Sequence, residues 1–334
     1  MAINQLLSIL VICSCGYATL SAAQSVPTAF AQAAKDVLSF PLDTITAYLF
    51  EENLSAMKFK PTNGALVTHQ LNATKRTLIH CHGYLQSTDD PFVTSLIRGY
   101  VTGYDYNILA IDYRFVTYNF YPTSVLLAGA VSGVVGYFVE TLVRAGLKEE
   151  DLILSGFSLG AQIMGNVARR LPFKVHELLA LDPAGPLFNF VGTSVSASDA
   201  LCVKCVHTDE YYYGTFKPCG HLDFYPNGGS RNQPGCTFLS SVSACSHERA
   251  TEFTTEAALD PHGFPSIQCD SWADFKIGKC NKSAVIPFGQ NAPCSASGKY
   301  YLQTNKYKPY ARGMAGITYD PSLNNNFPES PFFL

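Results

Sequence analysis

An α/β fold with a mostly parallel central sheet flanked by helices is what this chain predicts, and three observations predict it. Between residues 77 and 182, short apolar runs that read as buried strands alternate with helical patterns, the rhythm of βαβ units. One junction, Asp151 to Gln162, passes from such a run through Gly156-Phe157-Ser158-Leu159-Gly160 into a helix. Strand, sharp turn and helix in that order lift a serine hydroxyl above the end of a parallel sheet. Hydrophobic residues make up 47% of the 334, enough to bury a large core. No internal repeat or low-complexity tract divides the chain, so residues 24–334 are expected to form one domain.

Taken in order, residues 1–23 read as a secretory signal. Leu6 to Leu20 is an apolar core and Ser21-Ala22-Ala23 supplies small residues for cleavage, although no Lys or Arg precedes the core. Residues 24–75 carry turn signals such as Pro61-Thr62-Asn63-Gly64 and are expected to hold antiparallel edge strands. Thr77 to Cys81 is a buried strand ending in His82-Gly83-Tyr84; a helix over about 92–102 and a strand from Asn107 to Asp112 follow. Pro122 opens a long apolar helix that ends near Gly146. Its uncharged part, Pro122 to Val139, has the look of a membrane span. Ser124, Gly129, Ser132, Gly133 and Gly136, and the run into Glu140 and Arg144, favour a buried core helix instead. The elbow strand at 152–156 feeds a helix to about Leu171, and a strand from Glu177 to Leu181 delivers Asp182-Pro183. Beyond Asp182 the alternation loosens into a strand around Cys202 to His207, an aromatic loop at Tyr211-Tyr212-Tyr213, a turn at Asn227-Gly228-Gly229, and a helix from Ser246 to Leu259.

Composition excludes several classes of function. The net charge is −3, charged residues are 15% of the chain and no basic run occurs, so nucleic acid is not an expected partner. Of eleven cysteines, nine remain once Cys13 and Cys15 leave with the signal, and a secreted chain uses most of them in disulfides. Cys202-x-x-Cys205 has no second pair at zinc spacing, so neither a metal site nor a cofactor is expected. Sequons at Asn53, Asn72 and Asn281 are expected glycosylation sites on a secreted surface.

The elbow pattern alone is cheap, arising by chance in roughly one chain in ten of this size, so its partners decide the matter. Gly156 and Gly160 leave room for a strained turn and for close strand–helix packing. Ester or amide hydrolysis at Ser158 needs an acid, a histidine and an oxyanion hole, and on this kind of fold the partners follow in the order serine, acid, histidine. Asp182 ends the strand after the elbow helix, where ligand sites form; a turn-capping aspartate is the competing reading. Chain order removes His69, His80, His82 and His176 and leaves His207, His221, His247 and His262; His247, held at a helix start beside Cys245, is preferred, with His207 at a strand end as its rival. Oxyanion donors fall to the N–H of Leu159 and one from Gly83-Tyr84.

At this point the chain resembles the pancreatic-lipase family of α/β-hydrolases, in the arthropod secreted branch that includes the venom-type phospholipases A1. The resemblance runs from about Phe40 to the C-terminus. It rests on His82-Gly83-Tyr84, Gly156-Phe157-Ser158-Leu159-Gly160-Ala161, Leu181-Asp182-Pro183-Ala184-Gly185-Pro186, Val206-His207-Thr208-Asp209, Gly220-His221-Leu222-Asp223-Phe224 and Cys245-Ser246-His247. It implies Ser158 as nucleophile, Asp182 as acid, His247 rather than His207 as base, and the N–H groups of Tyr84 and Leu159 as the hole. It also implies disulfides Cys236–Cys245, which closes the lid, and Cys269–Cys280. Cys205–Cys219 is inferred because the two flank the aromatic loop, and Cys81, Cys202 and Cys294 are left unassigned.

Departures from the family pattern refine the expectation. Phe157 stands where many members have His. Only Asp199 remains of the acids of the family's calcium cage, so no calcium requirement is expected. The C-terminal β-sandwich that binds colipase in vertebrate lipases does not follow, so no colipase partner is expected. The lid, Thr237 to Ala244, has eight residues between its cysteines, and in the family short lids accompany phospholipases and long ones triglyceride lipases. The resemblance therefore implies a secreted, monomeric phospholipase A1 acting on lipid at a membrane or micelle surface. A triacylglycerol lipase is the alternative within the enzyme class. A non-catalytic lipid-binding protein, like the yolk proteins that lost the nucleophile, is the alternative outside it, and the intact Ser158, Asp182 and His247 weigh against it.

Overall fold

A computed structural model describes residues 42–191, 194–236 and 244–323. The expected signal at 1–23 and all but Ala244 of the expected lid lie outside the described residues. Eleven strands form one sheet. In chain order they are β1 (Thr46–Phe50), β2 (Ala56–Phe59), β3 (Arg76–Cys81), β4 (Tyr106–Asp112), β5 (Leu152–Phe157), β6 (Val175–Leu181), β7 (Ala200–Val206), β8 (Leu222–Pro226), β9 (Pro265–Gln268), β10 (Asn281–Pro287) and β11 (Gly298–Leu302). Their spatial order is β10-β9-β11-β8-β7-β6-β5-β3-β4-β1-β2. The run from β11 to β4 is parallel throughout, and antiparallel strands close both ends.

Four helices cover the two faces: α1 (Pro91–Gly103), α2 (Tyr121–Arg144), α3 (Leu159–Arg170) and α4 (Cys245–Leu259). Because strand side chains alternate between faces, neighbouring residues separate into two cores. Ile79, Leu109 and Leu154 pack with Leu127, Val131 and Val135 of α2 and Ile163 and Val167 of α3. Leu78, Ile108 and Ile153 pack with Leu96 and Ile97 of α1 and Phe253 of α4. Burial on both faces is why the central strands read as unbroken apolar runs; all six residues of β5 are buried. The long apolar helix α2 is a core helix here: its buried stripe runs from Leu127 to Leu142, and Ser132 Oγ donates to Ile163 O of α3.

The expected edge strands before residue 75 are β1 and β2. The region after Asp182 departs from expectation, because β8 to β11 extend the sheet beyond the expected strand at 202–207. These strands have four, five or seven residues each, too short to establish a period. Their aromatic residues instead build stacks such as Tyr225 on Tyr301, with ring centroids 5.1 Å apart.

Among the described residues four disulfides are present: Cys205–Cys219, Cys236–Cys245, Cys269–Cys280 and Cys202–Cys294. Cys81 is buried and unpaired, and burial pushes its thiol well above the usual range. Asn53, Asn72 and Asn281 are all exposed. Asn53 follows β1, which runs antiparallel to β4, whereas Asn72 precedes β3 and Asn281 opens β10. All three therefore lie at the N-terminal end of the parallel strands.

Candidate active site

At the opposite, C-terminal end of those strands, Ser158 occupies the turn between β5 and α3 with φ 54° and ψ −119°. A non-glycine residue is costly there and is held only by its surroundings. The Ser158 N–H donates to Leu181 O at 2.9 Å, and its carbonyl accepts from Ala184 N at 3.1 Å. The flanking glycines are there for clearance: a Cβ on Gly160 would stand 2.2 Å from Cys81 O, and one on Gly156 2.4 Å from the Gly160 backbone. Ser158 is 6% exposed.

Asp182 ends β6, fully buried, with its N–H bonded to Val206 O at 2.7 Å. Its Oδ1 accepts from the N–H groups of Thr208 at 2.9 Å and Asp209 at 3.3 Å. Its Oδ2 lies 2.5 Å from His247 Nδ1. Backbone donors thus fix one oxygen and leave the other to the imidazole. Gly214 makes this possible, since a Cβ there would fall 2.5 Å from Asp182 Oδ1. His247 stands in the first turn of α4, two residues after disulfide-bonded Cys245. Ser246 Oγ accepts from the N–H groups of Asn232 and Gln233, tying that turn to the preceding loop. The Phe157 ring packs on His247 at 4.6 Å and Tyr213 at 5.6 Å.

Ser158 and His247 line one cavity of about 520 Å³, walled by Tyr84, Tyr121, Phe157 and Tyr213 among others. Ser158 Oγ hydrogen-bonds to no described residue. Around the expected oxyanion loop, the Gly83 N–H donates to Gln86 Oε1 at 2.9 Å and the Leu85 N–H to Thr117 O at 3.4 Å. The N–H of Tyr84 between them, and that of Leu159 at the first position of α3, donate to no protein acceptor among the described residues. Gly83 is required by the neighbouring ring, because a Cβ there would meet Phe157 at 2.8 Å.

His207 is elsewhere. Fully buried, it places Nε2 2.8 Å from Asp223 Oδ1 and stacks on Tyr225 at 4.6 Å, outside the cavity. Cys205, His207, Cys219 and Asp223 do converge in the manner of a metal cluster. The disulfide takes both sulfurs and Asp223 Oδ1 holds His207 Nε2, which leaves too few donors for an ion although His207 Nδ1 is buried without a partner. Asp199 is bound by Arg169 rather than left open for calcium. A larger hollow, about 1030 Å³, lies among Glu51, Asn53, Asn72 and Lys75 at the far end of the sheet and shares no residue with the site.

Sequence reasoning missed Asp209 and Arg231. The guanidinium of Arg231 meets the buried Asp209 with Nε to Oδ1 and Nη2 to Oδ2, both at 2.9 Å. It also lies 3.9 Å from the Tyr212 ring centroid and 4.9 Å from that of Tyr213. The pair thus packs against Tyr213 of the cavity wall and its neighbour Tyr212. Only the proximity of Asp209 to Asp182 in the fold reveals it, since 22 residues separate Asp209 from Arg231.

A family model described as Lipase matches residues 14–310. The chain belongs to the Lipase family. Among curated relatives, Lipase member H of Mus musculus is 31% identical over 245 residues, covering 71% of this chain and 53% of that one. Lipase member H-B of Xenopus laevis is 33% identical over 222 residues (63% and 47%). Pancreatic lipase-related protein 2 of Homo sapiens is 28% identical over 268 residues (72% and 57%). This Lipase-family chain spans about half the length of the curated relatives it matches. Its large parallel sheet, its helices on both faces and its Ser158 elbow are those of an α/β-hydrolase.

Proposed function

We propose that the chain is a secreted serine carboxylic-ester hydrolase, a phospholipase A1 that cleaves the sn-1 acyl ester of phospholipids. The observation that carries the hydrolase reading is the convergence of Ser158 and His247 on one cavity, with Asp182 at His247 Nδ1. In this reading His247 Nε2 takes the Ser158 proton as Oγ attacks the ester carbonyl. The N–H groups of Tyr84 and Leu159 stabilise the oxyanion, and Asp182 stabilises the imidazolium. His247 then returns the proton to the departing alkoxide, leaving the acyl group on Ser158. Water, activated by the same imidazole, hydrolyses the acyl-enzyme and frees the fatty acid. No metal or cofactor takes part in these steps.

Phospholipid is favoured over triglyceride because the lid segment is short. Its eight residues would span roughly 12 Å as a helix, too little to roof a site that holds three acyl chains. The substrate is met at a lipid surface. Leu85, Phe115, Tyr118, Phe120 and Phe190 are all exposed. Their segments are joined at the cavity mouth, where Tyr84 Oη donates to Asn119 O and Tyr121 Oη to Pro186 O. Four disulfides suit an oxidising compartment. Three sequons at the far end of the sheet would keep glycans away from that surface. The enzyme is proposed to act as a monomer without colipase.

Initial rates on phosphatidylcholine and on triolein, each below and above the concentration at which aggregates form, test the substrate assignment. Phospholipid hydrolysis with little interfacial activation is expected. A sharp jump on triolein with phospholipid hydrolysis at background would make the protein a triacylglycerol lipase.

A further inference from the structure

Setting His247 aside, the described wall of the cavity around Ser158 has two acids, Asp90 and Glu248, and no Lys or Arg among the described residues lines it. The remaining wall is largely aromatic, with Tyr84, Tyr121, Phe157 and Tyr213. The two carboxylates differ in what else they do. Asp90 caps α1, accepting from the Phe92 N–H at 2.9 Å, and it also accepts from Gln86 at 3.4 Å.

Glu248 follows His247 on α4 and is only partly exposed, and among the described residues its carboxylate has no hydrogen-bond or ion-pair partner. The neighbouring base, Arg249, turns the other way, to Glu252, Tyr310 and Pro234 O. Burial raises the Glu248 carboxyl above the ordinary glutamate range; His247 and, more weakly, Arg249 offset part of this, while Asp90 and Glu252 add to the rise. Such a group gains most from a cation that gives up water easily. Aromatic faces beside it favour the same ligand, since a quaternary ammonium is attracted to both.

We propose that Glu248, assisted by Asp90, selects lipids whose headgroup carries a positive charge, of the choline or ethanolamine class, over lipids with an anionic headgroup. The inference rests on the phospholipase reading and adds the headgroup to it. The phosphodiester is common to both headgroup classes, so discrimination comes from the ammonium group alone. A headgroup with no cation brings net negative charge towards two carboxylates that no Lys or Arg among the described wall residues offsets.

Two measurements on wild type and Glu248→Gln decide it. The first is the ratio of initial rates on phosphatidylcholine and phosphatidylglycerol with identical acyl chains in the same detergent micelles. Because it is a ratio within each variant, a general loss of activity or folding cancels. Wild type is expected to favour phosphatidylcholine, and E248Q to lower the ratio roughly tenfold, the scale of one partly buried cation contact. An unchanged ratio would overturn the proposal and leave Glu248 a structural neighbour of His247.

The second is calorimetric titration with the deacylated headgroups glycerophosphocholine and glycerophosphoglycerol. Tighter binding of the former, lost in E248Q, supports the proposal; equal binding of both overturns it. If neither phospholipid were hydrolysed, the phospholipase reading would fall, and the titration would still decide whether the cavity recognises the cation.

Discussion

Arg169 holds Asp199 by both carboxylate oxygens, Nε to Oδ1 and Nη2 to Oδ2, each at 2.9 Å. Asp199 is fully buried, and it also accepts from the Ser196 N–H at 2.9 Å. This fixed guanidinium neutralises the one acid that remains of the family's calcium cage, while a calcium ion asks for six to eight oxygens. Hydrolysis is therefore expected to be unaffected by chelators. Arg169→Ala would strand a buried carboxylate and lower stability by about 3 kcal/mol, at the low end for a broken buried pair because the guanidinium is partly in water. Loss of activity on chelation, restored by added calcium, would refute this.

The Asp209–Arg231 pair beneath Tyr212 and Tyr213 yields a second prediction. Arg231→Lys keeps the charge but loses the two-pronged bond and the stacking. The expected result is a melting temperature several degrees lower and a kcat/KM down about tenfold, since the Tyr213 wall is no longer held against His247. Thermal melts and steady-state kinetics on one preparation check both. Wild-type values for both would remove the pair from any role in the site.

His80 governs acid stability. It is fully buried on β3, hydrogen-bonded to Ser155 Oγ at 3.0 Å, and burial, with the neighbouring His82, lowers its pKa to about 3. An unfolded histidine takes up its proton near 6.5. The stabilisation is thus complete above pH about 6.5 and is lost as the pH falls from there towards 3, at about 1.4 kcal/mol per unit. Denaturant titrations between pH 7 and 5 should show this slope, and His80→Gln should flatten it. An equal slope in the variant would exclude His80 as its source.

How much of this was legible in the sequence follows from which signals are local. The parallel half of the sheet announces itself, because β3 to β6 are apolar runs buried on both faces and separated by helices with recognisable starts. Ser158, Asp182 and His247 come from the ends of three such elements. Chain order leaves four histidines, position favours His247 with His207 as its rival, and the family resemblance chooses between those two. The geometry is consistent with that choice, placing His207 against Asp223. What sequence could not supply are features made by chain segments meeting. Gly214 clears space for Asp182, Arg231 reaches Asp209, Glu248 shares a wall with Asp90, and β8 to β11 are recognisable as strands only through their neighbours.

The apolar rim makes a prediction about the lipid surface. Phe120 is 76% exposed at the start of α2, next to Tyr121 of the cavity wall. Burying one such ring in lipid contributes about 1.5–3 kcal/mol. Phe120→Asp should weaken co-sedimentation with phosphatidylcholine vesicles by tenfold or more, roughly that energy. It should also reduce hydrolysis of vesicles far more than hydrolysis of a soluble short-chain ester. Equal losses on both substrates would place the lipid-facing surface elsewhere.

The central claim is that Ser158 cleaves the sn-1 ester of a phospholipid. Its most direct test is incubation with a phosphatidylcholine carrying different acyl chains at sn-1 and sn-2, followed by identification of the released fatty acid. Wild type is expected to release the sn-1 chain, and Ser158→Ala to be at least about 10³-fold slower with its circular-dichroism spectrum unchanged. Release of the sn-2 chain, or Ser158→Ala activity within tenfold of wild type, would contradict it.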